Sequence, residues 1–323
     1  MSPLYIVGAG GIGCAVGYGL CAAGAAPVFV DADRAKIRWG QAHGVAVDRR
    51  PPLKASFVAF DDWKPEASAS VILCTKCYDN AAVLARLPAG VNLLPIQNGF
   101  DAALRPGPDD LEGIASFISE CYPERTHTRI TRRGTLHLGS RHAGGSAVAR
   151  ARLEELAQLL RRAPFRVRLV ENILPFKYAK LMYNAAISPV AATAGIDNGQ
   201  LLSVPRARHL FFDLLRENYD ILAGAGIRLE KIGLFHPATV QQILRHRTIA
   251  NLLALFFYPS LRGSYCSMSG DLPRGRTEID YYNRHLIDVA GERPCPLNRR
   301  VYALVQRMER EHLMPGVRWL EDL

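Results

Sequence analysis

The sequence predicts two domains: an α/β domain built on a parallel sheet over residues 1–170, and an all-α domain over residues 171–323. Three observations carry that expectation. Apolar strand-like runs alternate with helical stretches through the first half, the pattern of a mostly parallel sheet with helices on its faces. A glycine-rich turn follows the first of those runs. From about Asn172 onward helical periodicity dominates and β-branched alternation becomes sparse.

Taken in order, "LYIVGAG" is a strand running into a glycine turn, and residues 12–24 form a helix of small residues. "APVFVDAD", "SASVILCTK" and "VNLLPIQNG" are further strands, followed by "GIASFISECY" and "GTLHLGS". A helix at about 149–163 and the strand "FRVRLVE" close this half. The second half reads as helices over 172–188, 205–225, 236–257, 277–290 and 297–312. Turn-forming segments such as "GIDNGQ", "AGAGIR" and "ERPCP" separate them. No internal repeat or low-complexity segment is present.

Bulk properties exclude several classes. Of the 323 residues 49% are hydrophobic and mean hydropathy is near zero, which indicates a globular, soluble protein, with a cytoplasmic location expected from its cysteines. No apolar run approaches the roughly 18 residues of a membrane span, and the N-terminus lacks the basic region of a signal peptide. Seven scattered cysteines, an odd number, point to free thiols in a reducing compartment. The lone CxxC at Cys74 and Cys77 has no second pair at ligand spacing, so no metal is expected. The net charge of +10 is spread along the chain without a basic run or interleaved aromatics. Small anions fit that pattern better than nucleic acid.

The glycine turn carries the first chemistry. In "VGAGGIG", Gly8, Gly10 and Gly13 have G-x-G-x-x-G spacing, with Ala9, Gly11 and Ile12 completing the turn, after a strand and opening a helix. That is a Rossmann-type dinucleotide site: the turn brings the pyrophosphate to the helix N-terminus. The second strand ends at Asp31, where a carboxylate accepts from the adenosine ribose hydroxyls and repels a 2′-phosphate, favouring NADH over NADPH. Arg34 and Lys36 follow closely and could instead hold that phosphate. Two more strand ends bring Lys76 and Asn98 to the side of an open sheet where ligands sit; a solvated lysine and an ordinary turn are the plain alternatives.

In the helical half, "KLMYNAAIS" places Lys180, Asn184 and Ser188 at i, i+4 and i+8, a stripe that drifts only roughly 80° around the helix. A hydride-transfer enzyme needs a proton donor beside the carbonyl it reduces, and a lysine in a partly dry cleft suits that task. Asn184 and Ser188 could bind substrate oxygens. A lysine snorkelling beside helix-packing polar groups is the alternative, and Lys177, about 60° away around the helix, is a rival donor.

With these residues in place the chain resembles the ketopantoate reductase (2-dehydropantoate 2-reductase) family over nearly its whole length. The resemblance rests on "GAGGIG", Thr75-Lys76, Gln97 to Gly99, Lys180 and Asn184 with Pro189 and Ala192 downstream, and "DNGQL" from Asp197 to Leu201. It continues through Ser267, Met268 and Asp271, then Arg276, Glu278, Ile279, Asp280 and Asn283. It implies Lys180 as general acid, Asn184 as substrate ligand, and Glu278 in contact with substrate hydroxyl and nicotinamide ribose. Lys76 and Asn98 would line the cofactor and the reacting centre. The implied reaction is reduction of a 2-oxo acid to a 2-hydroxy acid with NADPH or NADH, most directly 2-dehydropantoate to pantoate in pantothenate biosynthesis, by a homodimer. Without the resemblance, Glu278 reads as a first-turn carboxylate favoured by the helix dipole.

The departures from the family pattern bear on the substrate. Ser188 stands where a second asparagine is usual, Cys266 where a serine often precedes the "SM" motif at Ser267, and Arg284 where a glycine is usual. "DAD" replaces the arginine that commonly holds the NADPH phosphate. Ser188 and Cys266 fall on groups expected to grip substrate oxygens, so another oxo acid is the rival substrate. A non-catalytic dinucleotide sensor is the rival function.

Overall fold

Five parallel strands frame the first unit. The computed structural model describes residues 2–104, 110–142 and 146–323, and the chain divides into two units, residues 1–174 and 175–323. In chain order the first six strands are β1 (Leu4–Val7), β2 (Val28–Asp31), β3 (Ala46–Val47), β4 (Ser56–Ala59), β5 (Ser70–Leu73) and β6 (Asn92–Pro95). All but β3 pair in parallel in the order β4-β2-β1-β5-β6. Helices α1 (Gly11–Ala22), α2 (Arg34–His43) and α3 (Asn80–Leu84) lie between them in sequence.

Alternation along each strand sends successive side chains to opposite faces. Ile6, Phe29, Ile72 and Leu94 enter one buried cluster with Val16 and Leu20 of α1. Their neighbours Val7, Val30, Val71 and Leu73 enter another with Trp63 and Val83. A parallel sheet apolar on both faces requires such double cover, and each fully buried large side chain adds about 1.5–3 kcal/mol.

The remaining strands do not extend that sheet. β7 (Leu111–Ala115), β8 (Ile118–Cys121), β9 (His127–Arg132), β10 (Thr135–Ser140) and β11 (Arg166–Asn172) form two three-stranded sheets, β11-β10-β7 and β3-β9-β8. β7 runs antiparallel to β10, and β8 antiparallel to β9. The run "GIASFISECY" therefore breaks in two. At the break Ser116 Oγ accepts from Thr135 N at 2.8 Å and donates to Thr135 O at 3.1 Å, filling the ladder position with a side chain. Helix α4 (Ala147–Leu159) is capped by Ser146 Oγ, which accepts from Ala149 N at 3.0 Å.

The second unit is helical, and the α/β-plus-α architecture expected from the sequence is present. Its helices are α5 (Leu174–Ala194), α6 (Asn198–Ser203), α7 (Pro205–Gly224), α8 (Pro237–Arg245), α9 (Arg247–Leu261), α10 (Ser267–Asp271), α11 (His285–Ala290) and α12 (Pro296–Glu311). Proline at the first position starts α7, α8 and α12, where its missing N–H costs nothing. Three boundaries differ from the sequence reading. The stretch 236–257 is broken at His246, whose φ −111 and ψ 90 are non-helical. α5 continues past 188, through Pro189, to Ala194. The helix expected from 277 opens instead with a π turn, Asp280–Arg284. Among the described residues no helix is long and apolar enough to cross a membrane.

Candidate active site

The glycine turn joins β1 to α1. Gly8 has φ +96, and a Cβ there would lie 2.7 Å from Thr75 N at the end of β5, so the chain both turns left-handed and passes over the neighbouring strand. A Cβ on Gly13 would fall 2.0 Å from Gly8 O, so only glycine lets helix and turn pack. Around Gly10 the space is open. The N-terminus of α1 has no side-chain cap and no acidic residue in its first turn, which leaves backbone N–H groups for an anion. These features fit a dinucleotide pyrophosphate. Ala9 is buried and Ile12 half-buried behind the turn.

Asp31 closes this arrangement. Its Oδ2 accepts from Ala9 N at 2.8 Å and its Oδ1 from Asp33 N at 2.9 Å. Lys36 Nζ lies 3.5 Å from Oδ2. Burial works against the Lys36 charge, but Asp31 and the neighbouring Cys121 and Cys14 outweigh it and raise its pKa. Arg34 reaches Asp61 at 3.2 Å and Asp62 at 3.5 Å instead. Both basic residues that could receive a 2′-phosphate are thus engaged by carboxylates.

The ends of β5 and β6 are stitched by a buried polar knot that sequence reasoning missed. Asn80 Nδ2 donates to Gln97 Oε1 at 3.1 Å and Asp101 Oδ2 at 2.8 Å; Gln97 Nε2 donates to Asn80 Oδ1 at 2.7 Å and Thr75 O at 2.8 Å. Gln97 is therefore a brace, and it fixes the strand ends that carry the half-buried Lys76 and Asn98. An isolated asparagine at the start of a five-residue helix gave no sequence signal.

In the second unit, α5 carries half-buried Lys180 and Asn184 and buried Ser188 on successive turns, while the rival donor Lys177 is only 2% exposed. Glu278 is 3% exposed and accepts from the Tyr282 hydroxyl at 3.1 Å. Five residues after Glu278, Asn283 Nδ2 donates to Ala185 O at 2.9 Å, docking the Glu278 segment beside Asn184. Cys266 Sγ donates to Ser188 O at 3.4 Å and meets Ser269 Oγ at 3.1 Å. Ser267 is exposed, and Arg284 pairs with Asp288 at 2.9 Å on the surface. Among the described residues no group of three or more metal-ligating side chains occurs.

Comparison with known proteins places this geometry. The profile described as "Ketopantoate reductase PanE/ApbA" matches residues 4–107, and its C-terminal counterpart matches residues 172–309. The chain belongs to the ketopantoate reductase family. It is accordingly an NAD(P)-dependent oxidoreductase of a family acting on small-molecule oxo acids. It is similar to the 2-dehydropantoate 2-reductase of Pyrobaculum aerophilum (28% identical over 245 residues, 74% of this chain and 76% of that one). The enzyme of the same name from Pyrococcus horikoshii is 26% identical over 315 residues, covering 95% of this chain and 97% of its own. Its fold matches a ternary structure of D-mandelate dehydrogenase with NADH and anilino(oxo)acetate, with TM-score 0.77, 19% identity, and 97% and 99% of the two chains covered. It also matches a PanE/ApbA family ketopantoate reductase from Ralstonia eutropha, with TM-score 0.70, 21% identity, and 96% and 99% covered. Against the family pattern two of the departures meet in space: the Cys266 thiol sits on the Ser188 carbonyl.

Proposed function

We propose that this ketopantoate reductase family member reduces a 2-oxo acid to the 2-hydroxy acid with NADH in preference to NADPH. The first unit binds the dinucleotide and the second handles the oxo acid. The observation that carries the reading is the turn-by-turn stripe of Lys180, Asn184 and Ser188 on α5, in a chain that also builds a glycine turn shaped for a pyrophosphate. A bound dihydronicotinamide supplies the hydride. Lys180 gives a proton to the carbonyl oxygen that becomes the alcohol. Asn184 orients the oxo acid, and Glu278, held by Tyr282, accepts from a substrate hydroxyl. Gly8 to Gly13, Asp31, Lys76 and Asn98 serve the cofactor.

2-Dehydropantoate is the first substrate to test. A second oxo acid is favoured by one observation: the Cys266 thiol donates to the Ser188 main-chain carbonyl and Ser188 is 4% exposed, so the thiol proton is used within the protein and the serine is withdrawn from solvent. The second unit also exposes Ile249, Leu252, Leu255 and Phe256 on α9, at spacings that share a helix face. A second copy of the chain is its proposed occupant, since a ketopantoate reductase of the same fold from Staphylococcus aureus is described as dimeric. Phe256→Glu then yields monomers in light scattering.

Following absorbance loss of NADH and NADPH across a panel of oxo acids tests the activity. Turnover of 2-dehydropantoate or a related acid is expected, faster with NADH. Lys180→Ala lowers kcat by orders of magnitude with NADH affinity nearly kept. No turnover of any oxo acid, with cofactor bound, refutes the reaction; full activity in the variant refutes the role of Lys180.

A further inference from the structure

The glycine turn is flanked by two thiols that the reduction does not use. Cys14, on the first turn of α1 and fully buried, donates to Ala9 O at 3.2 Å. Cys121, at the end of β8 and partly exposed, reaches the same carbonyl at 3.7 Å and also Arg125 O at 3.1 Å and His127 O at 3.4 Å. The two sulfurs thus converge on one carbonyl oxygen. Their backbones are pressed together because β8 lies directly on the helix start: a Cβ on Gly11 would be 2.6 Å from Ser119 O. Ala9 is also the residue whose N–H holds Asp31, and Lys36 completes the cluster at 3.5 Å from that carboxylate.

We propose that Cys14 and Cys121 form a peroxide-sensitive dithiol, and that closing it into a disulfide weakens dinucleotide binding at the glycine turn. The consequence for binding rests on the dinucleotide reading above; the closure itself does not. The neighbouring Cys14 thiol first, and then the Lys36 charge, work against burial and hold the Cys121 pKa below the ordinary thiol value. The same proximity to Cys121, followed by burial, pushes Cys14 well up, so Cys14 stays protonated until it is called on. By contrast, burial alone pushes Cys74 to about 12 and, chiefly, Cys21 to about 11. Cys121 is therefore the nucleophile and, being partly exposed, the point of entry.

The chemistry balances with hydrogen peroxide as oxidant. The Cys121 thiolate attacks one peroxide oxygen, the O–O bond breaks, and the released hydroxide takes up a proton, leaving a sulfenic acid and one water. Cys14 then gives up its proton and attacks the sulfenic sulfur. The S–S bond forms and the hydroxyl departs as a second water. Two thiols lose two electrons and one peroxide becomes two waters. A bonded pair lies about 2.05 Å apart, so closure consumes the Cys14 S–H and removes its bond to Ala9 O. The Ala9 peptide, which lies between Gly8 and Gly10, loses that support. Loss of one such bond at the binding turn corresponds to roughly a tenfold rise in dinucleotide Kd.

The full-length protein treated with one to two equivalents of hydrogen peroxide decides this. The expected results are a mass loss of two hydrogens, a linked Cys14–Cys121 peptide, a tenfold weaker NADH Kd by calorimetry, and reversal of all three by dithiothreitol. Cys121→Ser keeps its NADH affinity through the same treatment. Oxygen addition at Cys121 without linkage overturns the dithiol. Linkage with unchanged Kd overturns the effect on binding. Failure of the reduced protein to bind NADH fells the dinucleotide reading and the binding effect with it, while the linked peptide still decides the closure.

Discussion

Replacing Asn283 by alanine tests how the helix that bears Lys180 is held. Pro189 has no N–H, so the carbonyl of Ala185, four residues earlier, lacks its helical donor. Asn283 Nδ2 supplies that bond at 2.9 Å and a second to Asn298 Oδ1 at 2.9 Å. Asn283→Ala orphans both buried acceptors, at about 1–3 kcal/mol each. It also deletes Asn283 Oδ1, itself buried without a partner, which returns about as much as one of them. A small cavity adds about 1 kcal/mol. The expected loss is therefore about 3 kcal/mol. Pro189→Ala restores an N–H to Ala185 O, so in that background the same change costs about 2 kcal/mol less. Urea unfolding of the four proteins, followed by circular dichroism at 222 nm, measures the coupling, and hydrogen exchange of α5 peptides locates it. A coupling below about 0.5 kcal/mol refutes the reasoning, because the two residues would then act independently.

Other expectations rest on single contacts. Gly13→Ala puts a methyl against Gly8 O and costs about 1–3 kcal/mol through overpacking; thermal midpoint and NADH affinity should both fall, and an unchanged pair contradicts the turn geometry. Tyr282→Phe takes the hydroxyl from Glu278, so kcat/KM should fall about tenfold or more; a change under about twofold would separate Tyr282 from the reaction. Burial first, then the Arg168 charge, push the His137 pKa down to about 4. Unfolded histidine binds its proton near 6.5, so the unfolded state holds more protons between those values and stability falls as pH drops through that window. His137→Gln should flatten that fall in urea midpoints between pH 7 and pH 4.5.

What could be read in the sequence was local. The strand, the glycine turn and Asp31 follow from period-two alternation, steric need and a strand end within thirty residues, and the structure contains all three. The two small sheets were not legible. β3 is two residues long and exists only because Ala46 and Val47 pair with His127 and Thr128 far along the chain. The Asn80–Gln97 knot was equally hidden, since no spacing relates two amides 17 residues apart. Asn283 stood within a recognised motif, but its task did not. A proline inside an apolar helix is the signal that a carbonyl one turn back needs an outside donor.

The same helix explains why chemistry is more legible than substrate. Taking Lys180 as zero and about 100° per residue, Asn184 and Ser188 lie at about 40° and 80°. Met182 and Ala185 lie at about 200° and 140°. Each of those two carbonyls takes a side-chain hydrogen bond from outside the helix: from Asn218 at 2.9 Å and Asn283 at 2.9 Å. One face of α5 is thus clamped by two amides, and the opposite face carries the proposed proton donor. The clamp bonds to backbone, so it fixes the position of Lys180 whatever side chains stand beside it. Ser188 and Cys266 meet on the far edge of the front stripe, outside the clamp. A change of side chain there alters what the front face can grip while the bonds that hold Lys180 stay in place. This separates the reaction, read from Lys180 and its support, from the identity of the oxo acid, which depends on that edge.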